Sequence, residues 1–149
     1  MHIHRFLTAA AAMVALLSIN ACSESSGPTL TAPDAYAQAQ AGKLTLIDVR
    51  HPEEWHQTGV AKGALHIDMT NAQGEAGFAK QVAAEMGGDK HAPIGLLSRA
   101  GNRGANAQQV LLKAGFTRVF NIKEGMDGSN AGPGWIARGL PLEGCTDCR

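Results

Sequence analysis

Residues 95–115 read "GLLSRAGNRGANAQQVLLKAG". An apolar run ends at Ser98, a short polar turn with Gly101 and two arginines follows, and Ala107, Val110, Leu111 and Ala114 then recur on one helical face up to Gly115. The stretch reads as a strand, a tight loop and a helix in immediate succession. When such a loop curls over a helix N-terminus, its backbone N–H groups converge, and the helix dipole adds positive potential to the hollow. Gly101 supplies the backbone freedom that the curl needs. Arg99 and Arg103 bring guanidinium charge to the rim or buttress the loop. Ser98, Arg99, Ala100, Gly101, Asn102 and Arg103 are therefore the candidate anion-binding loop, with Ser98 where a reacting group would stand.

Outward from this stretch, strand and helix signals alternate. "LTLIDV" (44–49), "ALHID" (64–68), "PIGLL" (93–97) and "RVFNI" (118–122) predict strands. Phe78, Val82 and Met86 share one face of "GFAKQVAAEMG", and "APDAYAQAQAGK", opened by Thr31 and Asp34, predicts a first helix that ends near Gly42. Strands separated by amphipathic helices predict an α/β fold, a central and mostly parallel sheet with helices on both faces. Ligands of such sheets sit beyond the carboxyl ends of the strands, and Ser98 stands at one of those ends. "GMDGSNAGPGW" lacks the strand–turn–helix context of a nucleotide loop and reads as an ordinary loop before "WIARGLP".

The chain begins "MHIHRFLTAAAAMVALLSINAC", with Arg5 ahead of an apolar run from Phe6 to Leu17 that is too short to span a bilayer. Residues 1–21 are read as a secretory signal peptide. "SINAC" resembles the lipobox of bacterial lipoproteins, although Asn20 is less usual there than a small residue. That resemblance implies lipid on Cys22, a membrane anchor in the periplasm, and, with Ser23 next, outer-membrane sorting. Ordinary cleavage near Ala21 with Cys22 as a free thiol is the alternative. Residues 22–30, rich in Ser, Pro and Thr, then form a lipid-anchored linker. The remainder suits one domain with one core. Across the chain 13 basic side chains balance 13 acidic ones, and the signal removes only Arg5. No net field draws the protein to nucleic acid, and none is expected as a partner.

"LIDVRHPEEW", "GALHI", "SRAGNR", "VFNIKEGM" and "GLPL", in that order, resemble the rhodanese-like domain of sulfurtransferases from Thr31 to Leu142, within a domain bounded at 31–144. In active members the loop has the form C-R-x-G-x-R, and its cysteine takes a sulfane sulfur as a persulfide and passes it to a thiol or cyanide. Arg99, Gly101 and Arg103 match that form, while Ser98 occupies the cysteine's place. Many members also carry Gly-His-Ile after the "PEEW" stretch, where this chain has Gly59, Val60 and Ala61. A serine hydroxyl is a far weaker acid than a thiol and forms no stable persulfide, so ordinary sulfur transfer at Ser98 is not expected. A hydrolase role is disfavoured as well, because the G-x-S-x-G elbow and an evident histidine base are missing. The expectation is a module that binds a small anion or sulfur compound, or an envelope protein.

The remaining sulfur chemistry lies in "GCTDCR", the C-terminal tail 145–149. Cys145 and Cys148 suit a redox dithiol, half of a zinc site or a small disulfide. No matched pair of further ligands is evident, so neither a metal nor a cofactor is predicted. The alternative function places thiosulfate or persulfide sulfur transfer, or thiol–disulfide exchange, on these two cysteines. His51, His56 and His66 are read as surface or packing residues, Glu53 and Glu54 as a charged turn, and Asp48 and Arg50 as a structural ion pair.

Overall fold

The computed structural model describes residues 27–146 and Cys148. The signal peptide, Cys22 and most of the linker fall outside the described residues. Among those described, no helix is long and apolar enough to cross a membrane.

In chain order the elements are β1 (Thr29–Leu30), α1 (Ala32–Gln40), β2 (Thr45–Asp48), α2 (Pro52–Thr58), β3 (Val60–Ala61), β4 (Leu65–His66), α3 (Gly74–Glu85), β5 (Ile94–Leu97), α4 (Asn102–Lys113), β6 (Val119–Ile122), α5 (Gly134–Ala137) and β7 (Leu142–Glu143). The main sheet has the order β1-β6-β5-β2-β4 and is parallel throughout. A small antiparallel pair, β3 with β7, stands apart from it. Local chemistry explains the ends. Thr31 Oγ1 accepts the Asp34 amide at 3.2 Å to cap α1, and Glu54 reaches back to accept the His51 amide at 3.0 Å to cap α2.

The sheet buries both faces, as the near-continuous apolar strands require. Ile47, Val49, Phe78, Val82, Leu96 and Leu111 fill the side carrying α3 and α4. Leu46, Leu97, Ile122, Met126 and Trp135 fill the side carrying α1 and α5. Each fully buried large side chain contributes on the order of 1.5–3 kcal/mol. Because β5 lies between β6 and β2, the chain leaving it at Ser98 emerges at the middle of the carboxyl edge.

Two expectations change. Thr29 and Leu30, assigned to the linker, instead form β1, pairing in register with Asn121 and Ile122 of β6. Gln108, on a helix face read from its apolar residues alone, secures that edge by donating to the Pro28 and Val119 carbonyls at 2.8 Å each. The pair β3/β7 was not anticipated either. Two residues carry no periodicity, so strands this short are set by their partners.

Candidate functional site

The loop between β5 and α4 is held rigidly from beneath. The Met126 and Asp127 amides donate to the Ser98 and Arg99 carbonyls, each at 2.9 Å. Ser98 is fully buried, and its Oγ accepts the Gly101 amide at 3.1 Å. Gly101 caps α4 in the left-handed region at φ +92°, and a Cβ there would collide with the Lys123 carbonyl, so the position needs glycine. The Asn121 side chain donates to the Gly101 carbonyl at 3.1 Å. The Asn102 and Arg103 amides, in the first turn of α4, find no acceptor among the described residues, which leaves them to a ligand or solvent.

Above the loop lies a cleft of about 330 Å³ walled by His51, Glu54, Arg99, Ala100, Asn102 and Arg103. Four of the loop's residues line it; Ser98 and Gly101 do not. Ser98 supports the turn instead of presenting its hydroxyl. Its Oγ has no imidazole or carboxylate partner among the described residues, so no base is arranged to activate it.

The two arginines part company. Arg103 is committed to Glu54 through two hydrogen bonds of 2.6 Å, a fork-to-carboxylate pair that fixes the loop against α2. Burial would push the Glu54 carboxyl up, but the Arg103 hydrogen bonds, the His51 amide and the charges of Arg103 and Arg50 together hold it at about 2. Arg103 is thus a buttress whose charge is already balanced. Arg99 is exposed and makes no ion pair among the described residues, so it is the cation of the wall available to an arriving anion. His51 is also part of this wall, with Nδ1 at 3.3 Å from Asp68 Oδ2 and 3.2 Å from Thr70 Oγ1.

One fully buried ion pair and one with a half-buried arginine support the frame. Arg50 and Asp48 meet at 2.7 Å with side chains 1% and 0% exposed, and Arg50 also donates to Thr58 Oγ1 at 2.8 Å and the Gly59 carbonyl at 2.9 Å. This is the structural pair expected from the sequence. Glu124 accepts from the Ala32 amide at 2.7 Å, the Gly134 amide at 2.9 Å and Arg138 Nε at 2.7 Å, tying α1 to α5. Burial raises its carboxyl, yet Arg138 and the two amides outweigh that and hold it below the usual carboxylate range.

The tail makes a second cluster. Cys145 and Cys148 are joined as a disulfide, with Cα atoms 5.5 Å apart. His66 Nδ1, at the end of β4, lies 3.9 Å from the Cys145 sulfur and 3.4 Å from that of Cys148. His56 Nε2 meets the Cys148 carbonyl at 3.2 Å, so two histidines read as packing residues both receive the tail. The three donors of His66, Cys145 and Cys148 all lie within 4.8 Å of one another. The sequence offered no ligand to join the cysteines; the fold brings one.

Residues 31–131 match the family model of the rhodanese-like domain. The chain belongs to the rhodanese-like domain family. A Rickettsia conorii protein without an assigned function is 31% identical to it over 104 residues, covering 66% of this chain and 81% of that protein. The polysulfide-sulfur transferase homodimer of Wolinella succinogenes aligns at a TM-score of 0.60 and 28% identity, covering 80% of each chain. A rhodanese-like domain of an Anabaena protein aligns at 0.63 with 83% of each chain covered, and at 22% identity it shows the fold alone.

Within this rhodanese-like domain, the loop positions were legible because they are consecutive. His51, Glu54 and His66 were not read as site residues. Their roles come from α2 packing beside α4 and from the tail returning to β4, contacts between segments far apart in sequence. A hint lay in Glu54, whose place three residues after His51 at a helix start is that of a capping carboxylate.

Proposed function

We propose that this rhodanese-like domain is a binding module of the bacterial envelope that holds a small anionic sulfur compound, or a protein presenting such an anion, without ordinary sulfur transfer at Ser98. The observation that carries the reading is the Ser98 hydroxyl, buried beneath the loop and accepting the Gly101 amide at 3.1 Å. A serine hydroxyl held there with no base beside it is neither ionised nor able to form a stable persulfide, whereas Arg99 and the first turn of α4 line the cleft and suit an anion. The likeness to a polysulfide-sulfur transferase points to polysulfide and related sulfur anions as the class to try first. The proposal includes removal of residues 1–21, lipid on Cys22, and residence in the periplasm at the outer membrane.

The test is intact mass of the reduced mature protein after exposure to thiosulfate and to a persulfide donor, with cyanide release as a check. The expected result is no added sulfur in the natural protein and one cyanide-labile sulfur in Ser98→Cys. A sulfur atom on the natural protein, lost when Cys145 and Cys148 are replaced by serine, overturns the reading and makes the tail a sulfur carrier. Mass analysis of the membrane-extracted protein tests the lipid on Cys22; a free Cys22 thiol overturns that part.

A further inference from the structure

We propose that, when the tail disulfide is reduced, His66, Cys145 and Cys148 form a binding site for a thiophilic closed-shell cation, Zn²⁺ or Cu⁺. The site lies at β4, the sheet edge two strands away from β5 and its loop, and does not depend on the reading of Ser98.

The donor set and its spacing carry the argument. With metal–sulfur and metal–nitrogen bonds of about 2.3 and 2.0–2.1 Å, tetrahedral ligation separates sulfur from nitrogen by about 3.6 Å. In the closed disulfide His66 Nδ1 lies 3.4 and 3.9 Å from the two sulfurs, so the imidazole stands within ligand reach of both once reduction frees them to rotate. A terminal disulfide clip needs no such nitrogen. The ring is also fixed: its centroid lies 5.5 Å from that of Trp55. Its Nε2 is buried without a hydrogen-bond partner among the described residues, leaving Nδ1 as the nitrogen able to reach a ligand. His66 itself is held by strand pairing with Asp48.

The cysteines suit the role from the other side. Two thiolates and one imidazole are a soft donor set that selects Zn²⁺ or Cu⁺ over Mg²⁺ or Ca²⁺. The Cα atoms lie 5.5 Å apart across two intervening residues, so rotation about the Cα–Cβ bonds can part the freed sulfurs to about 3.8 Å, the sulfur–sulfur edge of a tetrahedron. An opening of about 290 Å³ lined by His66, Gly144, Cys145, Thr146 and Cys148 gives the cation a path in and leaves room for a fourth ligand from solvent or substrate. The chemistry balances simply. A dithiol reductant supplies two electrons and two protons to open the disulfide, becoming a disulfide itself, and the two thiols then release their protons to solvent as they bind the cation.

The full chain, reduced and kept anaerobic, is titrated with Co²⁺ as a spectroscopic probe of tetrahedral thiolate ligation, with Zn²⁺ against a chromophoric chelator, and with Cu⁺ against a Cu⁺-specific one. One equivalent of Co²⁺ should produce thiolate-to-metal charge-transfer bands, and either Zn²⁺ or Cu⁺ should displace it. Cys148→Ser should abolish those bands, and His66→Gln should weaken affinity more than tenfold. Should His66→Gln fold poorly, imidazole ¹⁵N spectra of the natural protein report on the same ligand, since Nδ1 of His66 must shift when Zn²⁺ or Cu⁺ is added. Failure of the reduced protein to take metal from the chelators overturns the site. Unchanged affinity in a folded His66→Gln, or an unmoved His66 resonance, overturns the place of His66 in it.

Discussion

Arg103 and Glu54 meet through two parallel hydrogen bonds of 2.6 Å, binding the first turn of α4 to the first turn of α2. The pair gives the two family-patterned arginines different work. One is part of the frame, and the other faces the cleft.

Arg103→Ala should therefore act on stability, costing on the order of 1.5–3 kcal/mol for loss of charge-assisted hydrogen bonds, read as the denaturant midpoint in urea. Arg99→Ala should leave stability within about 0.5 kcal/mol, as exposed substitutions do, and weaken thiosulfate or polysulfide binding by calorimetry. Stability losses of equal size in the two variants would contradict this division.

The same pair sets a response to acid. Glu54 is held at about 2 in the folded protein, below its ordinary value of 4.5, so the unfolded chain binds the extra proton as pH falls. The stabilisation is complete above about pH 4.5 and is lost progressively toward pH 2. Glu124, also held below the usual range, adds a loss of the same sign. Urea midpoints measured from pH 6 to pH 2.5 should fall, with a shallower slope in Glu54→Gln. Parallel slopes would mean that the pair does not bind in solution as it does here.

Asp48→Asn leaves the Arg50 guanidinium buried without its carboxylate. Breaking one side of a buried pair costs about 3–5 kcal/mol, a large part of a small domain's stability. A loss below about 1 kcal/mol in chemical unfolding would show that Arg50 is adequately served by Thr58 and Gly59 alone.

Gly101→Ala combines two penalties, a left-handed backbone at φ +92° and a collision between the new Cβ and the Lys123 carbonyl. The backbone alone costs about 1–2 kcal/mol, and the collision must also shift the loop. Lower thermal stability together with weaker anion binding is expected. By contrast Gly115→Ala, at φ +96° with open space around its Cβ, should show the backbone cost alone.

Much of the fold was open to a sequence reading because the decisive signals are local. Leu46 and Ile47, or Leu96 and Leu97, point to opposite cores because neighbouring strand residues alternate. The loop after Leu97 was equally legible, since its turn glycine and helix start are consecutive. Thr29 and Leu30 escaped the reading for the opposite reason: only β6 makes them a strand.

The sequence by itself determined the alternation of strands and helices, the family to which the chain belongs, and the strand, tight loop and helix that follow one another around residues 98–103, because backbone propensity and hydrophobic period act over a few neighbouring residues. Only the tertiary structure decided that Arg103 is balanced by Glu54, that Ser98 lies beneath the loop, and that His66 stands beside Cys145 and Cys148. Those relationships join residues many positions apart. Packing of the whole sheet brings them together, and no local pattern in the chain records which distant side chain will arrive.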